Sequence, residues 1–169
     1  MKNSRAQESL LSALTVSHLG ETGLIKRILV ALDGSKAAKR ALNFALELAE
    51  ITSAELELLT VVPPVFLRSH SIHVLKSEAI ADCAKELEIS FSEVLSKAQK
   101  EAEKKKPECK VSTRFEKGEP DEKIVNRAER GKFDMIVMGS RGLGGRVSAL
   151  GSVSSRVVDK ASCPVVIVK

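Results

Sequence analysis

Short apolar segments alternate with longer amphipathic stretches along most of the chain. Four segments rich in Leu, Ile and Val are typical of buried strands, and they lie at residues 25–32, 55–62, 133–138 and 163–168. A fifth, residues 109–116, alternates between apolar and polar positions, which favours a strand near a sheet edge. Helices are expected from Ser35, a natural N-cap, and over residues 79–105, 118–131 and 153–161.

This order, β-α-β-α-β-α-β-α-β, predicts an α/β fold. Such alternation gives an open parallel sheet with right-handed crossovers and helices on both faces. Ligands of such sheets bind beyond the carboxyl ends of the strands, where the strand order reverses. The first strand ends at Asp33 and the fourth at Gly139. If these two strands are neighbours, both residues line one crevice.

Residues 139–155 are rich in glycine and serine and join the fourth strand to the last helix. Glycines let backbone amides approach a phosphate closely, and a helix start offers N–H groups that lack intrahelical acceptors. The stretch therefore suits an anion pocket. A tight turn that only reverses the chain would have the same composition.

Composition limits the classes of protein to which the chain can belong. The chain has 169 residues, 43% of them apolar, which suits one globular domain. The net charge is +5, but aromatics make up only 3% and Trp and Tyr are absent, so nucleic-acid binding by base stacking is not expected. The positive charge suits attraction of a small anion, or solubility. No apolar run approaches the roughly 18 residues that span a bilayer, so no membrane partner is expected.

The cysteines and histidines do not form a ligand pattern. Cys83, Cys109 and Cys163 are far apart, which favours packed thiols in a reducing compartment and hence a cytoplasmic protein. His70 and His73 are three residues apart without a further ligand nearby, so we expect loop residues and no metal site.

Four stretches together resemble the universal stress protein family: residues 28–35, 134–142, 151–155 and 163–169. The resemblance covers residues 24–169 and leaves residues 1–23 as an N-terminal tail or docking helix. It implies a five-stranded parallel sheet in the order 3-2-1-4-5, a flavodoxin-like three-layer sandwich. It also implies a homodimer formed through the C-terminal strand, residues 164–168.

Members of this family that bind ATP carry Gly, two residues, Gly, nine residues, then Gly followed by Ser or Thr. Gly139, Gly142 and the pair Gly151-Ser152 match, but eight residues instead of nine separate Gly142 from Gly151. One residue fewer either shortens a loop or turns a helix by about 100°. Gly144-Gly145 could absorb the difference in the loop.

Carried over by position, the resemblance implies an ATP site, with AMP or ADP as alternatives and Mg²⁺ alongside. Ala31, Leu32, Asp33 and Val61 would lie near the adenine and ribose. The residues expected along the ribose and phosphates are Met138, Gly139, Arg141, Gly142, Gly151, Ser152, Val153 and Ser154. Structural alternatives exist, because Asp33 could only cap the first helix, Val61 and Met138 could be core, and Ser152 and Ser154 could be N-caps.

The resemblance predicts an adenine nucleotide-binding, dimeric stress-response or signalling module. One alternative is a nucleotide-free interaction module of the same fold, if the shorter interval has spoiled the pocket. Another is a slow ATPase, although no general base is apparent near the phosphates and the GxxxxGK[ST] signature is absent. No catalytic residue is therefore assigned.

Overall fold

The computed structural model of the protein describes residues 25–64, 77–143 and 150–169. Five strands alternate with four helices in the predicted order. The strands are β1 Arg27–Leu32, β2 Glu55–Val62, β3 Val111–Lys117, β4 Met135–Gly139 and β5 Val165–Val168. The helices are α1 Lys36–Thr52, α2 Ser77–Lys105, α3 Pro120–Arg130 and α4 Ser152–Lys160.

The sheet is parallel throughout, with the strand order β3-β2-β1-β4-β5. The predicted α/β fold and strand order are therefore confirmed, as is the position of β3 at an edge. β1 pairs with β2 on one side and with β4 on the other. The chain order reverses between β1 and β4, so the ends of these two strands flank the switch point at which ligands of such sheets bind.

Each face of the sheet has its own apolar core. On one face, α1 and α2 cover side chains of β1 and β2, including Val30 and Leu58. On the other, α3 and α4 cover a second cluster that includes Leu29 and Ile136. Neighbouring strand residues point to opposite faces, so central strands that are buried on both sides are mostly apolar. The buried polar residues Glu57 and Thr60 of β2 both have hydrogen-bond partners.

A left-handed residue and an N-cap start α1 beside β1. Gly34 has φ +83°, where a side chain would be strained, and an added Cβ would lie 2.8 Å from Val94 Cγ2. Ser35 then caps α1 as predicted, since its Oγ accepts the Ala38 N–H at 3.1 Å. This turn brings the start of α1 against the crevice.

Asp121 fixes the relative position of α3 and α4. Its carboxylate is almost fully buried and pairs with Lys160 at 2.8 Å and Arg156 at 3.1 Å. Burial opposes ionisation, but the hydrogen bond from Lys160 and the charges of Arg156 and Lys160 hold the pKa of Asp121 below its usual value. The middle and the end of α4 are thereby tied to the first turn of α3.

Two arginines at the amino end of the sheet make specific contacts. The Arg27 guanidinium lies 4.6 Å from the centre of the Phe133 ring and donates to the Gly131 carbonyl. Arg127 makes a two-point contact with the buried Glu57 carboxylate, and this hydrogen bond raises the pKa of Arg127.

Two expectations about cysteines and membranes can be compared with the fold. Cys109 and Cys163 are partly buried, and burial raises the pKa of each thiol. Cys83 is exposed, so the prediction that all three thiols are packed was wrong. Within the described ranges, none of the helices has the length and apolar character needed to cross a membrane. The predictions for residues 1–23 and for His70 and His73 lie outside the described residues.

Candidate functional site

Asp33 connects the two sides of the crevice. It follows β1, and its Oδ1 accepts the backbone N–H of Ser35 at 3.0 Å. Its Oδ2 accepts the backbone N–H of Leu143 at 3.1 Å. The carboxylate therefore both supports the start of α1 and faces the glycine-containing loop that follows β4.

That loop is held by hydrogen bonds to three other elements. Ser140 donates its N–H to the Val168 carbonyl at 2.8 Å, which attaches the loop to the end of β5. The Ser140 carbonyl accepts from the Gly151 N–H at 2.8 Å and from Ser154 Oγ at 3.1 Å, which attaches the loop to α4. Ser35 Oγ donates to the Arg141 carbonyl at 3.2 Å. The loop is thus positioned by α1, β5 and α4 together.

The first turn of α4 faces the same loop. The N-cap is Gly151, so neither Ser152 nor Ser154 has that role. The Gly151 carbonyl accepts the Ser155 N–H at 2.9 Å. The N–H groups of Ser152, Val153 and Ser154 come earlier in the turn and have no intrahelical acceptor. Ser154 is buried, and its hydroxyl already donates to backbone carbonyls. What this turn offers an anion is therefore mainly its backbone N–H groups.

Apolar side chains from three strands lie together at the carboxyl end of the sheet, and two of them, Val61 and Met138, are almost fully buried. Ala31, Val61 and Met138 lie at the carboxyl ends of β1, β2 and β4, and all three pack with the cluster on the α3–α4 face. Leu32 packs in the opposite cluster, beneath α1. Only the first three side chains therefore share a face, and Leu32 can contribute there only through its backbone.

Two of the motif glycines also have packing reasons. A Cβ on Gly139 would lie 2.8 Å from backbone atoms of Ala37 and Ala38, so β4 can approach α1 only with glycine at this position. A Cβ on Gly142 would lie 2.5 Å from Asp33 Oδ2. These contacts explain both glycines whether or not a ligand is bound.

Three residues near the site had roles that the sequence did not predict. Thr60 is fully buried and donates its hydroxyl to the Leu32 carbonyl at 3.1 Å. Ser140 connects the loop to β5 and α4, as described above. Arg141, expected along the phosphates, lines a cavity together with Arg40 of α1. Only contacts between distant parts of the chain reveal these roles.

No grouping of three or more His, Cys, Asp or Glu side chains suited to a metal ion occurs in the part of the chain that the structure describes. Mg²⁺ that accompanies a nucleotide is commonly bound through its phosphates with few protein ligands. The described site brings together apolar side chains, a carboxylate and a helix start.

Comparison with known proteins identifies the family. The model of the universal stress protein family matches residues 24–169. The chain belongs to the universal stress protein family. Universal stress protein YxiE of Bacillus subtilis is 33% identical over 150 residues, which cover 86% of this chain and all of YxiE.

Two solved universal stress proteins of similar structure contain adenine nucleotides. One, in complex with cAMP, has a TM-score of 0.63 and 25% identity, with 87% of this chain and 99% of that chain covered. The other, from Archaeoglobus fulgidus in complex with dAMP, has a TM-score of 0.60 and 26% identity, with 86% and 99% covered. Related proteins of the same fold thus bind adenine nucleotides.

Proposed function

We propose that this universal stress protein binds an adenine nucleotide in the crevice between Asp33 and the start of α4. The observation that carries the proposal is the loop at residues 139–143, because its hydrogen bonds bring together Asp33, the end of β4 and the first turn of α4. The related proteins that hold cAMP and dAMP support the ligand class. ATP, with Mg²⁺ on its phosphates, is the proposed ligand, and ADP and AMP are alternatives.

Each part of the nucleotide has a matching part of the crevice. The adenine packs against the apolar side chains of Ala31, Val61 and Met138. The ribose hydroxyls donate to Asp33, since a carboxylate accepts about four hydrogen bonds and two are accounted for by Ser35 and Leu143. The phosphates take the backbone N–H groups at the start of α4, where the helix dipole favours negative charge. Gly139 and Gly142 give the phosphates access to the loop backbone.

Isothermal titration calorimetry with ATP and Mg²⁺, and separately with AMP, tests this proposal. We expect saturable binding by the wild type and an affinity at least tenfold lower for Asp33→Ala, since hydrogen bonds to charged groups contribute about 1.5–3 kcal/mol. Asp82→Ala is the matched control, because Asp82 is an exposed acid of α2, and its affinity should stay at the wild-type value. Absence of binding at millimolar nucleotide would disprove the proposal.

A nucleotide-free interaction module is the second candidate, and one observation favours it. Gly139 and Gly142 are both explained by close contacts within the protein, with Ala37 and Ala38 and with Asp33. The motif glycines therefore do not by themselves require a ligand. The same calorimetry separates the candidates, since this module would bind none of the nucleotides. No observation on the described residues favours slow ATP hydrolysis over nucleotide binding alone.

We further propose that the protein is a cytoplasmic homodimer that uses β5 for contact with its partner. β5 is an edge strand, and its four residues Val165–Val168 are all only partly buried. Three exposed apolar side chains lie on flanks of the neighbouring helices: Phe44 (40% exposed), Ile51 (74%) and Val158 (45%). Such an edge with apolar surroundings favours pairing with a second copy. Nucleotide binding would then alter the surface of a stress-response or signalling dimer.

A further inference from the structure

A cationic cavity lies on the α1 side of the loop, away from the start of α4. Its volume is about 310 Å³, and its lining residues are Ala37, Arg40, Ser140, Arg141 and Lys169. Three of these five residues are cationic and none is acidic. We propose that this cavity is a second anion site, which binds a tetrahedral oxyanion such as inorganic phosphate independently of the nucleotide.

The cations are arranged around the cavity by the ends of different elements. Arg40 comes from the second turn of α1, Arg141 from the loop after β4, and Lys169 directly follows β5. Arg40 donates through Nε to the Lys169 carbonyl at 2.6 Å, which anchors its guanidinium and leaves both terminal nitrogens as donors. A backbone carboxylate at Lys169 would offset one of the three charges and still leave an excess of two. A planar guanidinium suits paired contacts with phosphate oxygens.

Ser140 is a further polar residue of the cavity lining. The residue is 5% exposed, and its backbone groups are committed, the N–H to Val168 and the carbonyl to Gly151 and Ser154. Among the described residues no fully buried side-chain oxygen lacks a hydrogen-bond partner, so the Ser140 hydroxyl is not an unsatisfied buried group. A hydroxyl can donate to an anion in the cavity that Ser140 lines.

The start of α1 adds backbone donors. Ser35 already accepts the N–H groups of Ala38, through Oγ, and of Lys39, through its carbonyl. The N–H groups of Lys36 and Ala37 come earlier in the turn and have no intrahelical acceptor. Ala37 is part of the cavity wall. The helix dipole of α1, which has 17 residues, therefore acts in the same direction as the three cations.

The cavity is distinct from the nucleotide crevice. Its lining includes neither Asp33, Val61 nor Met138, and it shares only Arg141 with the residues expected to bind nucleotide. The Ser140 carbonyl is directed at α4, through Gly151 and Ser154, whereas Arg40 and Ala37 belong to α1. Binding of inorganic phosphate here does not depend on the proposed nucleotide function.

Titration with inorganic phosphate, without nucleotide, tests this proposal. Amide chemical shifts of ¹⁵N-labelled protein are followed at an ionic strength held constant with sodium chloride. We expect saturable shifts at Ala37 and at least about tenfold weaker binding by Arg40→Gln, which removes a charged donor. Arg130→Gln is the control, because Arg130 is an exposed arginine in the last turn of α3 and its loss changes the net charge equally.

The outcomes separate a built site from general attraction to a basic protein. An equal effect of the two arginine variants would overturn the proposal, as would the absence of saturation in the wild type. Shifts that centre on Ser152 and Val153 and spare Ala37 would place phosphate in the nucleotide crevice, and would also overturn it. If the protein binds phosphate but no nucleotide, the phosphate binding would support this site, and the lack of nucleotide binding would disprove the function proposed above.

Discussion

Two glycines of the same loop differ in what surrounds them, although both match the family motif. An added Cβ at Gly139 meets main-chain atoms of Ala37 and Ala38 at 2.8 Å, and a helix backbone cannot move aside locally. At Gly142 the added Cβ meets the end of the Asp33 side chain at 2.5 Å, which can rotate away. Gly139 thus allows β4 to pack closely against α1, and Gly142 leaves room for the Asp33 carboxylate.

Alanine substitutions should therefore separate stability from ligand binding. We expect Gly139→Ala to lower the free energy of unfolding by about 1–3 kcal/mol, the usual cost of overpacking. Gly142→Ala should cost less than about 1 kcal/mol but weaken nucleotide binding, because it displaces Asp33 from Leu143. Urea unfolding and calorimetry of both variants measure this. Equal losses of stability would show that the geometric difference between the two positions has no energetic consequence.

The sequence predicted the elements well because burial on both faces leaves a strong apolar pattern. β2 begins at Glu55 and ends at Val62 as predicted. Boundaries were less certain where the pattern was weak: β5 begins at Val165 instead of residue 163, since Pro164 lacks an N–H for the ladder. The candidate site was predicted less completely. Asp33 and the glycines follow from local motifs, whereas the contacts of Thr60 and Arg40 depend on residues distant in sequence.

The contact between α3 and α4 should make stability depend on pH. The pKa of Asp121 is lower in the folded protein than in the unfolded chain, so the ionised form favours folding. This contribution should be complete above about pH 5 and should be lost as the pH falls below about 4 towards the folded pKa. We expect Asp121→Asn to lower the free energy of unfolding at pH 7 by about 1–3 kcal/mol, and the difference from wild type to shrink in acid.

Urea unfolding of both proteins between pH 3 and pH 7 measures this difference. The control is Asp159→Asn, because Asp159 is an exposed residue of the same helix α4, and its loss should change stability little at any pH. A gap between Asp121→Asn and wild type that stays constant as the pH falls would contradict the assignment.

At the scale of the whole molecule, three of the five large exposed apolar side chains in the described residues are on α1 and α4, the helices that pack against β5. Asn43 and Glu50 of α1 face α2, because they contact Lys105 and Lys106. Phe44 follows Asn43 by one residue, or about 100° of helix, and Ile51 follows Glu50 in the same way, so both lie on a flank away from α2.

The same reasoning applies to α4. Arg156 and Lys160 contact α3 through Asp121, and Val158 lies about 200° from Arg156, on the opposite flank. The apolar flanks of α1 and α4 are thus both turned from the neighbouring helix on their own face of the sheet. Because β5 is the edge strand beyond β4, a second copy paired with β5 could cover these flanks.

The backbone of β5 allows a specific test of this homodimer. The carbonyls of Pro164 and Val168 accept from Ile136 and Ser140 in β4 and the loop after it. By the alternation of a parallel ladder, the N–H of Val166 points to β4 and that of Ile167 points outward. Ile167→Pro should therefore remove a donor to the partner while it leaves the β4 ladder complete, and Pro is tolerated on edge strands in this orientation.

We expect wild-type protein to sediment as a dimer and Ile167→Pro as a folded monomer, with an unchanged far-ultraviolet circular dichroism spectrum. Phe44→Gln should weaken association by about tenfold or less, because it removes apolar area at the margin of the interface. Ile89→Gln changes a similarly exposed side chain on α2 and should leave the dimer intact. A monomeric wild type would disprove the dimer, and equal weakening by the Phe44 and Ile89 variants would place the interface away from the β5 edge.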